Sequence, residues 1–93
     1  MNANELRDRL FEMSQDVEIP DDNEILEAVY NYMVDNVTDH VDSTGRNVNA
    51  ITLAKDTFWH FNPEFYKELS INSYYWDVAH IVATDYEIEV DIA

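Results

Sequence analysis

The sequence predicts a mainly α protein: a single small domain, residues 1–93, with about five helical segments. Its 93 residues suffice for one hydrophobic core and are too few for two. Hydrophobic residues make up 46% of the chain and aromatic residues 13%, more than a disordered acidic chain would carry. One glycine and two prolines leave few breaks, which favours helices with short connections.

The first helix is expected over residues 2–16, where apolar side chains recur at helical spacing. Asn2 or Asn4 supplies the N-cap, since a side-chain oxygen can accept a hydrogen bond from a free N–H group of the first turn. Pro20 ends the region because the residue before a proline disfavours helical backbone. The inner side of this helix would carry Leu6, Leu10, Phe11 and Met13.

The clearest helical pattern covers residues 21–43, with Asp21 or Asp22 as its N-cap. We expect Gly45 to follow the helix in left-handed backbone, which glycine adopts without steric cost. The apolar stripe is Leu26, Val29, Tyr30, Met33, Val37 and Val41. The opposite stripe is mostly acidic: Glu24, Glu27, Asn31, Asp35, Asp39 and Asp42.

Two further helices are expected in the middle of the chain. Residues 47–61 form the third, although Val48, Ile51 and Thr52 would also suit a strand. Asn62 followed by Pro63 is a typical helix start and predicts a fourth helix over residues 62–70.

The last segment begins as a helix near Asn72 or Ser73, and its far end has two candidate conformations. Residues 86–92 alternate apolar and acidic side chains, as an edge strand does, but Tyr86 and Val90 would also share a helix face. We favour a helix through about Thr84 followed by a short extended C-terminal strand. Such a strand needs a partner, and residues 16–19 or 47–53 are the candidates.

Nothing in the sequence points to catalysis, a metal site or a cofactor, so we expect a protein that is not an enzyme. The chain has no cysteine nucleophile, and a single glycine cannot build a phosphate-binding loop. His40, His60 and His80 stand twenty residues apart, a spacing that places no two metal ligands on one helix face.

Charge is the outlying property of this chain, with 20 acidic and five basic residues and a net charge of −15. Residues 1–42 hold twelve acidic and two basic residues, and residues 85–93 hold four acidic and none basic. Such a charge repels nucleic acid and anionic membranes and steers the protein toward basic protein surfaces. No apolar run approaches the roughly 18 residues of a membrane span, so we expect a cytoplasmic protein.

The acidic side chains at the two ends of the chain are therefore the candidate partner-binding residues. No lysine or arginine lies between residues 10 and 45 to offset the repulsion among these side chains. This energetic cost to folding suggests that the negative electrostatic field has a function. The primary set is Glu24, Glu27, Asp35, Asp39 and Asp42 with Glu87, Glu89 and Asp91, and the secondary set is Glu5, Asp8 and Glu12.

Aromatic residues concentrate between positions 58 and 76, and most of them are expected to build the core. Three consecutive rings at Tyr74, Tyr75 and Trp76 cannot all face inward from one helix. We therefore expect either Trp59 or one ring of this run to be exposed as an aromatic anchor for a partner, and we add Trp76 to the candidate partner-binding residues.

In its size, charge, lack of cysteine and aromatic-rich helices, the chain resembles the small acidic DNA-mimic inhibitors of phages and mobile elements. The resemblance implies that its carboxylates occupy the basic DNA- or RNA-binding site of a host defence nuclease, either a CRISPR effector or a restriction enzyme. The protein would then act in the host cytoplasm without binding nucleic acid itself. Two alternatives stay open: an adaptor or antitoxin-like module that binds through an aromatic patch, and a structural protein that self-associates, for example as a homodimer.

Overall fold

A computed structural model describes residues 1–13, 18–63, 69–70 and 73–92. It confirms an all-α domain, built from α1 (Ala3–Met13), α2 (Asn23–Asn36), α3 (Ala50–Phe61) and α4 (Tyr74–Ile92). A 3₁₀ turn, Val37–His40, extends α2. These described ranges contain two isolated β-bridges and no strand. The helix expected from Asn62 falls mostly on residues 64–68, which lie outside the described residues.

Helix α4 is the longest helix and contacts each of the other three helices and the 3₁₀ turn. Its first half is apolar on nearly every side, as expected of a helix surrounded by protein. The two alanines in this half let neighbouring helices approach closely. The buried residues of α4 are Tyr75, Val78, Ala79, Ile81, Val82 and Ala83.

The other helices are amphipathic, and each buries one apolar face in a single core cluster that it shares with α4. Thr57 on α3 is fully buried, and its hydroxyl donates to the Leu53 carbonyl oxygen at 2.8 Å, so its burial leaves no unsatisfied donor. The residues that these faces bury are Leu6 and Leu10 on α1, Leu26, Val29 and Met33 on α2, and Leu53, Ala54 and Thr57 on α3.

Side-chain caps fix where three of the helices begin. The Asn2 Oδ1 atom accepts from the Glu5 N–H group at 2.9 Å, and Asp22 Oδ1 accepts from the Glu24 N–H group at 2.9 Å. Asn49 caps α3 by accepting from the Thr52 N–H group at 3.2 Å. The caps predicted at Asn2 and Asp22 are therefore confirmed, and the third helix starts later than residue 47.

The second helix ends earlier than its apolar pattern suggested. Regular helix stops at Asn36, and after the 3₁₀ turn the chain reverses so that Val41 and Val48 form an antiparallel bridge. Gly45 lies inside this reversal with φ of +71°, which confirms the left-handed backbone predicted for it. Tertiary contact overrides helix periodicity here, because Val41 turns back to pair with Val48 instead of continuing the helix.

The extended conformation favoured for the C-terminus is wrong, because α4 continues as a helix to Ile92. Both candidate partner segments are engaged elsewhere: Glu18 bridges to Ser73, and Val48 bridges to Val41. A strand without a partner would leave its backbone groups unpaired, whereas a helix satisfies them internally. The alternating apolar and acidic side chains of residues 86–92 therefore project from different sides of a helix.

The burial of the first half of α4 predicts different costs for two isoleucines on that helix. Ile81→Ala should lower the free energy of unfolding by about 2–5 kcal/mol, because Ile81 is 1% exposed and its truncation leaves a cavity. Ile88 is 52% exposed, so Ile88→Ala should change stability by no more than about 0.5 kcal/mol. Urea unfolding followed by circular dichroism measures both, and equal losses would contradict the buried position of Ile81.

Candidate acidic interaction surface

The two acidic ends of the chain meet in the fold. Arg9 on α1 forms a bidentate, end-on pair with Asp85 on α4, with distances of 2.8 Å from Nη1 to Oδ2 and 3.2 Å from Nη2 to Oδ1. Helices α1, α2 and α4 also contact one another directly. The carboxylates of residues 1–42 and of residues 85–92 therefore lie on neighbouring elements of one domain.

Eight of the predicted carboxylates are exposed and have no hydrogen bond or ion pair with any described residue. We call this set the acidic surface. It is distributed over α1, α2, the 3₁₀ turn and α4, so its charges lie on packed elements that hold them in place. Its members are Glu5, Asp8, Glu12, Glu24, Asp35, Asp39, Glu89 and Asp91.

Two of the predicted partner-binding carboxylates instead accept hydrogen bonds from distant backbone groups. Glu27 on α2 accepts from the N–H group of Ala3 at 3.0 Å and so caps the start of α1. Glu87 on α4 accepts from the N–H group of Val48 at 3.0 Å, just before α3 begins. These hydrogen bonds join separate elements of the fold. Both side chains are half-buried, so they present little charge to a partner.

Asp42 is exposed, but its carboxylate organises the turn around Gly45. It accepts from the Thr44 N–H group at 3.0 Å, from the Thr44 hydroxyl at 2.5 Å and from the Asn47 side chain at 2.9 Å. These bonds, first of all the one from the Thr44 hydroxyl, lower the pKa of Asp42 to about 2. Asp42 thus holds a turn, and its charge is partly satisfied within the chain.

Arg9 and Asp85 were not singled out from the sequence, although their pair joins the two acidic ends. They are 76 positions apart, so no local spacing could have indicated the contact. The bond to Asp85 raises the pKa of Arg9. Both side chains are more than a third exposed, and exposed ion pairs contribute between zero and about 1 kcal/mol to the free energy of unfolding. The pair therefore orients α1 relative to α4 more than it stabilises the fold.

The predicted aromatic anchor, Trp76, is half-buried, and its indole N–H group donates to the Ser70 carbonyl oxygen at 2.7 Å. Tyr75 is buried and Tyr74 half-buried, so none of the three consecutive rings stands fully at the surface. Trp59 on α3, the other anchor candidate from the sequence, has an exposed ring, at 55%. An open groove of about 620 Å³ is lined by Ile51, Lys55, Trp59, Leu69 and Trp76.

Histidines and acids do not assemble into a metal site anywhere in the part of the chain that the structure describes. His40 contacts Thr52 through Nδ1 at 2.8 Å and Asp56 through Nε2 at 3.4 Å, so it links the 3₁₀ turn to α3. His60 stacks on Tyr32 with ring centroids 4.1 Å apart. Among the described helices, none has the length and apolar character needed to cross a membrane.

Comparison with known protein families, with curated proteins and with solved structures finds no match to this chain. Any functional inference therefore has to come from its own residues and their arrangement.

The turn held by Asp42 predicts a specific pH response. Its folded pKa of about 2 lies below the ordinary value of 3.8, so the ionised carboxylate stabilises the turn above about pH 4, and this contribution is lost as the pH falls toward 2. Thr44→Val should raise the pKa of Asp42 toward 3.8, because it removes the hydroxyl donor. Carboxyl ¹³C NMR titration measures this pKa, and Thr44→Ser, which keeps a hydroxyl, is the control. Identical titrations of the two variants would contradict the assignment.

Proposed function

We propose that this protein is a non-enzymatic inhibitor that imitates nucleic acid and occupies the basic DNA- or RNA-binding site of another protein. The observation that carries the proposal is the meeting of the two acidic ends, through Arg9 and Asp85, on a chain of net charge −15. A host defence nuclease, either a CRISPR effector or a restriction enzyme, is the proposed target class, and host cytoplasm the proposed place of action.

The basic residues near the acidic surface offset only a small part of its charge. Arg9 is paired with Asp85, and Arg7 donates from Nε and Nη2 to the neutral Asn23 side-chain oxygen at 3.0 Å and 2.9 Å and so keeps its positive charge. Only five basic residues stand against 20 acidic ones in the whole chain. The exposed carboxylates therefore create a negative potential that attracts a basic surface and accelerates encounter with it.

The number of exposed carboxylates is closer to the charge of one nucleic-acid strand than to that of a full duplex. Duplex DNA carries one negative charge per about 1.7 Å of axis, and a single strand carries one per about 3.4 Å. The domain is 35 Å along its longest axis, so one strand of that length would present about ten charges. The eight carboxylates of the acidic surface approach that number and fall well short of a duplex.

Neutralising part of the acidic surface should weaken binding to the target without harming the fold. We choose the triple variant Glu24→Gln/Asp35→Asn/Asp39→Asn, because these exposed carboxylates form no hydrogen bond or ion pair with a described residue. The variant changes the net charge from −15 to −12. Wild type and this variant serve as matched baits in a low-salt bacterial lysate. Wild type should retain nucleic-acid-binding proteins, and the variant should bind the recovered protein about tenfold or more weakly, with an unchanged or higher melting temperature.

The recovered protein is then challenged with duplex DNA, single-stranded DNA and RNA, at least one of which should displace it from wild-type bait if the same site is used. Binding should also fall steeply with added salt, because exposed charges are screened. The proposal fails if the retained proteins bind no nucleic acid, or if none of the three nucleic acids competes with the bait.

The groove on α3 supports a second candidate function, an adaptor that binds through apolar side chains. Ile51 and Trp59 are 58% and 55% exposed and lie on the near-neutral middle of the chain. An exposed tryptophan beside other apolar residues is a common anchor of protein interfaces.

This second function predicts that Trp59→Ala reduces partner affinity by at least about tenfold while the melting temperature changes little, since Trp59 is more than half exposed. Its binding would also survive raised salt. Surface plasmon resonance at two salt concentrations measures both effects, and Phe11→Ala, an equally exposed aromatic truncation on α1 at 59%, is the control. Full affinity of the Trp59→Ala variant would exclude the groove as the interface.

A further inference from the structure

A small cleft opens between α2 and α4 beside the acidic surface. It measures about 240 Å³, below the roughly 300–1,000 Å³ of pockets that enclose small-molecule ligands. Its size suits one side chain of a partner better than a cofactor. The cleft is lined by Tyr30, Val34, Val37, Val82, Asp85, Tyr86 and Glu89.

The floor of the α2–α4 cleft is apolar, and two of its walls are aromatic. Val37 and Val82 are buried at 6% and 4% exposure, whereas Val34 is 44% exposed. Tyr30 and Tyr86 are both half-buried, and the Tyr86 hydroxyl donates to the Gly45 carbonyl oxygen at 3.3 Å, which fixes that ring. A side chain entering the cleft would therefore pass along aliphatic and aromatic surface.

The rim of the cleft is negatively charged. Asp85 and Glu89 stand four residues apart on α4, a separation that places them on the same side of the helix. Asp85 already accepts a bidentate pair from Arg9, which is not a residue that lines the cleft. The fold thus shows that this rim can bind a guanidinium group, and Glu89 has no ion pair with a described residue.

We propose that the α2–α4 cleft receives one arginine side chain of the partner protein, with its aliphatic stem on Val34 and its guanidinium at Glu89, next to the Asp85 carboxylate that Arg9 already binds. This inference rests on the proposed function in one respect, namely that the partner surface is basic. It goes further by naming the cleft as the place where one residue of that surface is anchored.

Arginine fits this cleft better than lysine for three reasons. Its planar guanidinium can bond two carboxylate oxygens at once, as Arg9 does with Asp85. The same group stacks on aromatic faces, which Tyr30 and Tyr86 offer. It is also more weakly hydrated than an ammonium group, so it loses less when it enters a partly apolar cleft.

The test is an ¹⁵N NMR titration of the full chain with three tripeptides, acetyl-Gly-Xaa-Gly-amide, in which Xaa is arginine, lysine or citrulline. The arginine peptide should shift amide signals of α2 and α4 around Val34 and Glu89 and should bind more tightly than the lysine peptide. Citrulline, which keeps the shape of arginine without its charge, should not bind. Glu89→Gln should weaken the arginine peptide about tenfold.

Glu24→Gln is the matched control, because it removes the same charge from an exposed position of α2 that does not line the cleft. It should weaken the arginine peptide by less than about twofold, since an exposed charge outside the cleft is largely screened. Val34→Ser should also weaken binding, because it removes apolar contact from an exposed position that the fold does not depend on.

Several results would overturn the cleft assignment. These are equal affinities for the arginine and citrulline peptides, shifts spread evenly over α1, α2 and α4, or equal losses in Glu89→Gln and Glu24→Gln. Cleft shifts that depend on protein concentration without peptide would mean that a second copy fills it, which also overturns the proposal. If the arginine peptide binds as expected but baits retain no nucleic-acid-binding protein, the cleft assignment stands and the proposed function fails.

Discussion

The burial of the first half of α4 is the constraint on which the rest of this structure depends. Each of the other helices contacts α4, and its buried residues join those of this segment in one core cluster, where the small side chains of Ala79 and Ala83 permit close approach. Because the same helix continues to Ile92, it carries the second acidic end of the chain away from the core. The position of Asp85 and Glu89 beside α1 and α2 follows directly from this continuation.

The carboxylates of this chain divide into two groups with different physical roles. Glu27, Asp42 and Glu87 accept hydrogen bonds from N–H groups that would otherwise lack partners at helix starts and in a turn. The exposed carboxylates of the acidic surface form no hydrogen bond or ion pair with a described residue, so their mutual repulsion opposes folding. A surface that retains such a cost is well suited to attract a basic partner.

Attraction and anchoring would use different parts of the same region. The field of the acidic surface acts over about a Debye length and governs encounter, whereas the α2–α4 cleft offers apolar and aromatic contact at short range. Arg9 stands between the two, since it pairs with the rim residue Asp85. The apolar groove around Trp59 lies on α3, in the part of the chain with little net charge.

The sequence by itself determined the net charge, the amphipathic helices and the left-handed Gly45, and it narrowed the first two N-caps to two candidates each, because these features depend on side chains within one or two turns of each other. Only the tertiary structure decided that residues 86–92 are helical, since their alternation fits a strand that here has no partner. It also decided which carboxylates are internal. Glu27 and Glu87 find their N–H groups 24 and 39 positions away, and no local pattern records contacts of that range.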